Sequence, residues 1–142
     1  IMDRYLGYYK SLLENGIQLR QEWIIPDRGE DMQIFKEFAL PEKMPTAFVC
    51  NCDQTAYYLV EYLTAQGYRV PEDVSVTGFY NYSYSQICKP PLTTINVNIK
   101  DLSDLAVKAL LSKMPCGSNG TDIILAYGQI LQRDSVKNLN KQ

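Results

Sequence analysis

The 142-residue chain contains no histidine. That absence removes the commonest general base and the commonest metal ligand together. Its four cysteines, Cys50, Cys52, Cys88 and Cys116, form neither a CxxC pair nor a zinc-ligand spacing. They are expected to be free thiols of a reducing compartment. Cys50 and Cys52, two apart at a strand end, would share a face if the strand continued. No apolar run approaches the roughly 20 residues that a membrane span needs.

Positive charge is also scarce as a cluster. The 14 Lys and Arg are scattered among 16 Asp and Glu, for a formal net charge of -2. DNA-binding surfaces draw most of their affinity from a basic face against phosphates. The chain by itself is therefore expected not to bind DNA. There is no glycine-rich phosphate loop, no GxSxG elbow and no paired carboxylates in a plausible pocket, so an enzyme on a doubly wound sheet is disfavoured. No catalytic residue, metal or cofactor is expected. The start, Ile1-Met2-Asp3-Arg4, lacks the features of a signal peptide and falls at the edge of a helix, as in a truncated chain.

What is present is the material of a globular core: 46% hydrophobic against 21% charged residues. Asp3 is a candidate N-cap for a helix to about Glu14, stopped by Asn15-Gly16. Residues 22–25 (EWII) suggest a short strand, 27–31 a polar loop, and 32–40 a second short helix. The apolar run 46–51 (TAFVCN) reads as a strand buried on both faces. Asp53 opens a strong helix, 54–66, closed by Gly67. Residues 74–79 (VSVTGF) read as another buried strand and 80–85 as a polar, tyrosine-rich loop. Residues 92–97 are extended, 100–113 form an amphipathic helix, 116–121 a loop, and 123–131 a strand. The tail from Lys137 is expected to fray. Strands and helices alternating in units of roughly 30 residues imply an α/β fold, a parallel sheet flanked by helices. Ligands then bind at the carboxyl ends of the strands, where 26–31, 51–54 and 80–85 fall.

The segment Pro71-Glu-Asp-Val-Ser-Val-Thr-Gly-Phe79, with Pro90-Pro-Leu-Thr-Thr-Ile95, resembles the lactose/galactose repressor (LacI/GalR) family of bacterial transcription regulators. Arg4-Tyr-Leu-Gly-Tyr8, Asn15-Gly16-Ile17, Pro45-Thr46-Ala47, Cys52-Asp53, Gly67 to Asp73 and Ile130 to Ser135 are similar to further family blocks in the same order. The resemblance covers nearly the whole chain. It implies a periplasmic-binding-protein-like lobe: the C-terminal lobe of an effector-binding domain over 1–95, a segment crossing into an absent N-terminal lobe over 96–122, and a closing strand and tail over 123–142. It also implies a cytoplasmic, allosteric homodimer that senses a sugar-like small molecule between its lobes. Operator DNA would be met only through a helix-turn-helix outside this chain.

The same resemblance supplies site expectations. Arg4 matches an effector-contacting arginine, whose rigid fork suits hydroxyls or carboxylates; the plainer reading is a surface arginine. Cys52 stands where the family often has Asn, so a polar contact is lost. Asp53 either caps the following helix or touches ligand. Tyr80 stands where the family usually has an effector-binding Asp. Asn81 is left to supply one polar contact. Tyr80, Tyr82 and Tyr84 either stack on a ligand ring or pack at a dimer interface. Asp27 lies near the cleft or in a solvated charged loop. Tyr57, Tyr58, Tyr84, Ile87 and Cys88 are dimer-interface candidates, with core packing as the alternative. The helix 100–113 carries an apolar stripe (Leu102, Leu105, Ala106, Ala109, Leu110) with no lobe to cover it. It is expected to be hidden by self-association or by refolding onto the lobe present. A periplasmic sugar-binding protein of the same fold is the alternative function.

Overall fold

The computed structural model describes residues 2–113 and 123–139. Helix α1 (Met2–Glu14) ends where expected. Gly16 takes φ 68°, and Ile17 N–H donates to Leu12 O at 2.9 Å, the wrap that closes a helix around a left-handed residue. Asp3 lies inside the first turn rather than at the cap. No α1 side chain is buried; Leu6, Tyr9 and Leu13 are exposed.

The next segment departs from the sequence reading. Residues 21–23 form one turn of 3-10 helix, with no strand at 22–25. Residues 32–40 are not helical. Arg28 and Ile34 instead form an antiparallel bridge around a turn in which Met32 takes φ 62°. Asp31 accepts the Gln33 N–H at 3.0 Å, a local bond that competes with helix formation. Phe38 still reaches the core, edge-on to Tyr62 with centroids 6.0 Å apart.

β1 (Ala47–Val49) pairs in parallel with β2 (Ser75–Thr77), Phe48 opposite Val76. Between them runs α2 (Asp53–Ala65). It buries Ala56, Leu59, Val60 and Leu63 against Val74, Val76 and Leu92. Each large aliphatic buried here contributes roughly 1.5–3 kcal/mol. Gly67, at φ 88°, repeats the α1 ending, with Tyr68 N–H donating to Leu63 O at 3.0 Å. β1 is not buried on both faces: Ala47 and Val49 are exposed, since the strand pairs only with β2 among the described residues.

Parallel bridges Thr77–Thr93 and Tyr80–Asn96 carry the pairing on to β3 (Thr94–Asn96). The fold is thus α/β with a parallel sheet, as expected, but its closing strand departs from that pattern. β4 (Gln129–Leu131) runs antiparallel to β3 and is shorter than the expected 123–131. The loop 80–85 is partly helical: α3 (Ser83–Ile87) packs against α2. Lys137 is not frayed; its N–H donates to Ser75 Oγ at 3.1 Å.

α4 (Ile99–Lys113) forms as expected and buries no residue. Leu102 is 45% and Leu110 65% exposed. The helix has therefore not refolded onto the lobe. The expected 116–121 loop and Cys116 lie outside the described residues.

Candidate functional site

The loops after β1 and β2 and the 26–31 turn converge at the carboxyl ends of the parallel strands. Asp27 is the hub of one half of this rim. Its carboxylate accepts Arg28 Nε at 3.0 Å, Arg28 Nη2 at 2.9 Å, Asn51 Nδ2 at 2.7 Å and Thr55 Oγ1 at 2.8 Å. Burial pushes its pKa up, but the bonds from Arg28, Thr55 and Asn51 and the Arg28 charge prevail, leaving it below the ordinary carboxylate value.

Arg4 forms the other half. It reaches from α1 so that Nη1 donates to Asn51 O at 2.6 Å and Nη2 donates to the Tyr80 phenol. Its guanidinium carbon lies 4.3 Å from the ring centroids of both Phe79 and Tyr80, a cation–π arrangement. Tyr82 stacks on Tyr80 at 4.9 Å with an interplanar angle of 11°. Tyr80 takes φ 104° and Asn81 φ 61°. Two consecutive non-glycine residues in the left-handed region cost roughly 1–3 kcal/mol each unless their surroundings enforce them. Here the Tyr80 N–H bond to Ile95 O, at 2.9 Å, helps to do so.

Two candidate contact residues are engaged inside the fold. Asp53 is fully buried and, contrary to one expectation, does not cap α2. The residue before it, Cys52, holds the cap position. Asp53 instead accepts the Tyr82 N–H and the Thr94 hydroxyl, both at 2.6 Å, because the β2 end and β3 crowd donors onto it. Burial pushes its pKa above the ordinary value, against the lowering effect of those bonds. Asn81 turns inward. Its Oδ1 accepts Arg133 Nη2 at 2.7 Å and its Nδ2 donates to Asn96 Oδ1 at 3.0 Å, so the side chain is tied into the fold on both of its polar atoms.

Arg4, Asp27, Cys52 and Tyr80 are brought together at the rim. The Cys52 thiol is half-buried, 3.3 Å from Thr55 Oγ1. Sequence reasoning missed Asn51, Arg28, Thr55 and Arg133. Asn51 and Arg28 adjoin residues already singled out. Arg133 gives no local signal: it meets Asn81 across 52 residues.

The aromatic candidates form their own cluster. Tyr57, Tyr58 and Tyr84 lie 5.5–6.3 Å apart by ring centroid, half-buried, with Ile87 exposed beside them. Cys88 is corrected: it is 1% exposed and belongs to the core, where burial pushes its thiol up to about 11. Among the described residues no cluster of His, Cys, Asp or Glu could hold a metal, and no helix is long and apolar enough to cross a membrane.

A parallel α/β lobe with a polar and aromatic rim at its strand ends is a lobe of periplasmic-binding-protein-like type. The chain belongs to the periplasmic binding protein-like domain family, whose model matches residues 1–136. It is similar to the HTH-type transcriptional repressor PurR of Glaesserella parasuis, 32% identical over 149 residues, covering 97% of this chain and 43% of the relative. The PurR repressor of Actinobacillus pleuropneumoniae serotype 3 is 33% identical over 144 residues, covering 98% and 43%. The chain thus spans under half the length of these relatives. Among solved structures, a putative LacI regulator from Bacillus cereus subsp. cytotoxis matches at TM-score 0.63 and 32% identity, over 68% of this chain and 34% of that one. The LacI family regulator CCPA of Weissella paramesenteroides, with bound sucrose, matches at 0.59 and 28%, over 67% and 33%.

Proposed function

We propose that this chain is the effector-sensing and dimerisation part of a LacI-type transcriptional regulator, without catalytic activity and cytoplasmic. The carrying observation is the meeting of Arg4, the Asp27–Asn51 pair and Tyr80 at one rim, in a domain whose relatives are HTH-type repressors. A small molecule bound there bridges this lobe, residues 1–95, to a companion lobe. Residues 96–122 cross to that companion, which covers the apolar stripe of α4, and 123–142 return as closing strand and tail. Sucrose in the Weissella structure supports a small-molecule effector. The exposed Ile87 beside Tyr57, Tyr58 and Tyr84 suits a homodimer contact. Operator DNA is contacted by a separate helix-turn-helix domain. A ligand that distinguishes two lobe arrangements shifts their populations, and so the operator affinity.

The test is a thermal-shift screen of sugars, nucleosides and small acids on the intact protein containing this chain, followed by operator binding with the best ligand. Stabilisation should rise with ligand concentration, and the ligand should change operator affinity. A ligand that stabilises the protein without altering operator affinity, or a best ligand indifferent to Arg4→Ala, contradicts the reading.

A further inference from the structure

The rim holds an unbalanced charge. Arg28 is neutralised by Asp27 at 2.9 Å. Arg4, half-buried between aromatic rings, has no carboxylate within 4.0 Å among the described residues. Its two hydrogen-bond partners, the Asn51 carbonyl and the Tyr80 phenol, are both neutral. A guanidinium removed from water gains most from a charged acceptor, because charge-assisted bonds are about twice as strong as neutral ones.

The rim's acceptors are equally telling. A polyol needs acceptors for its hydroxyl protons. Asp27 already takes four donors, three on Oδ2 and one on Oδ1, which leaves little of its acceptor capacity for a ligand. Asp53 is fully buried and occupied by Tyr82 and Thr94. What remains open is an uncompensated cation beside an aromatic stack: Arg4 lies over Phe79 and Tyr80, Tyr82 stacks on Tyr80, and Tyr82 itself is 46% exposed. Resting on the effector-sensing reading, we infer that this rim selects a planar aromatic monoanion, an arene carboxylate, over a neutral sugar. The carboxylate takes the Arg4 donors now held by the Tyr80 phenol, and the ring lies against the tyrosines.

Calorimetric titration of the intact protein with benzoate and 4-hydroxybenzoate, their amides, and glucose tests this. The acids should bind about tenfold more tightly than the amides, the difference a charged acceptor makes. Arg4→Gln should erase that preference and Arg4→Lys should keep part of it. Because α1 buries no side chain, both variants should retain the wild-type circular dichroism. Tyr80→Asp supplies Arg4 with its own carboxylate and should shift preference toward the neutral probes. Equal binding of acid and amide, an acid preference that survives Arg4→Gln, or no binding of either acid overturns the inference. Arg4-dependent binding of glucose with the acids silent also overturns it, while leaving effector sensing intact.

Discussion

Gly78 and the buried Asp53 are packed so closely that a methyl group on Gly78 would collide with Asp53 Oδ1 and sit 3.2 Å from its Cα. The glycine is there for space, since its φ is not in the left-handed region. Through this contact the end of β2 lies against the start of α2, and Asp53 reaches Tyr82 and Thr94. Gly78→Ala should destabilise the protein by about 1–3 kcal/mol, as overpacking does. Urea unfolding checks this; an unchanged midpoint would show that the junction is looser than described.

Arg133 holds the other side of the same turn. It donates to Asn81 Oδ1 at 2.7 Å, to Leu92 O at 2.9 Å and to Ser85 Oγ at 3.0 Å. Arg133→Ala should cost about 1.5–3 kcal/mol, the range for bonds to a charged group. It should also loosen the left-handed pair Tyr80–Asn81, so ligand affinity falls together with stability. Arg133→Lys should recover part of both. Thermal unfolding with parallel ligand titration reads the two effects, and full affinity in Arg133→Ala would remove it from the positioning of the rim.

Asp27 makes stability depend on acid. Its folded pKa lies below the ordinary 3.8, so its contribution is complete above that value and is lost as pH falls through the lowered one. Asp27→Asn should lower stability at neutral pH and flatten the acid slope below about pH 4. Urea midpoints measured from pH 7 to pH 2 decide this. A variant that keeps the wild-type slope would place the acid-sensitive group elsewhere.

Much of this architecture was legible because local chemistry and tertiary packing agree. Gly16 and Gly67 end helices for the same backbone reason, and the apolar spacing of α2 matches its buried face. Legibility failed where a long-range partner outweighs local preference. Residues 32–40 carry helix-compatible residues, yet the Arg28–Ile34 bridge and the Asp31 turn bond prevail. Asp53 stands one residue from a helix cap, but its carboxylate is claimed by groups 29 and 41 residues away. Arg4 and Tyr80 were singled out by resemblance. That they meet each other across 76 residues is visible only in the fold.

Ligand-dependent hydrogen exchange of the intact protein tests the central claim most directly. With the best ligand from the screen, new protection should fall on residues 27–28, 51–55 and 79–82 and disappear in Arg4→Gln. Protection centred on the exposed face of α4, or a pattern indifferent to Arg4, would show that the rim at the strand ends is not where the effector binds.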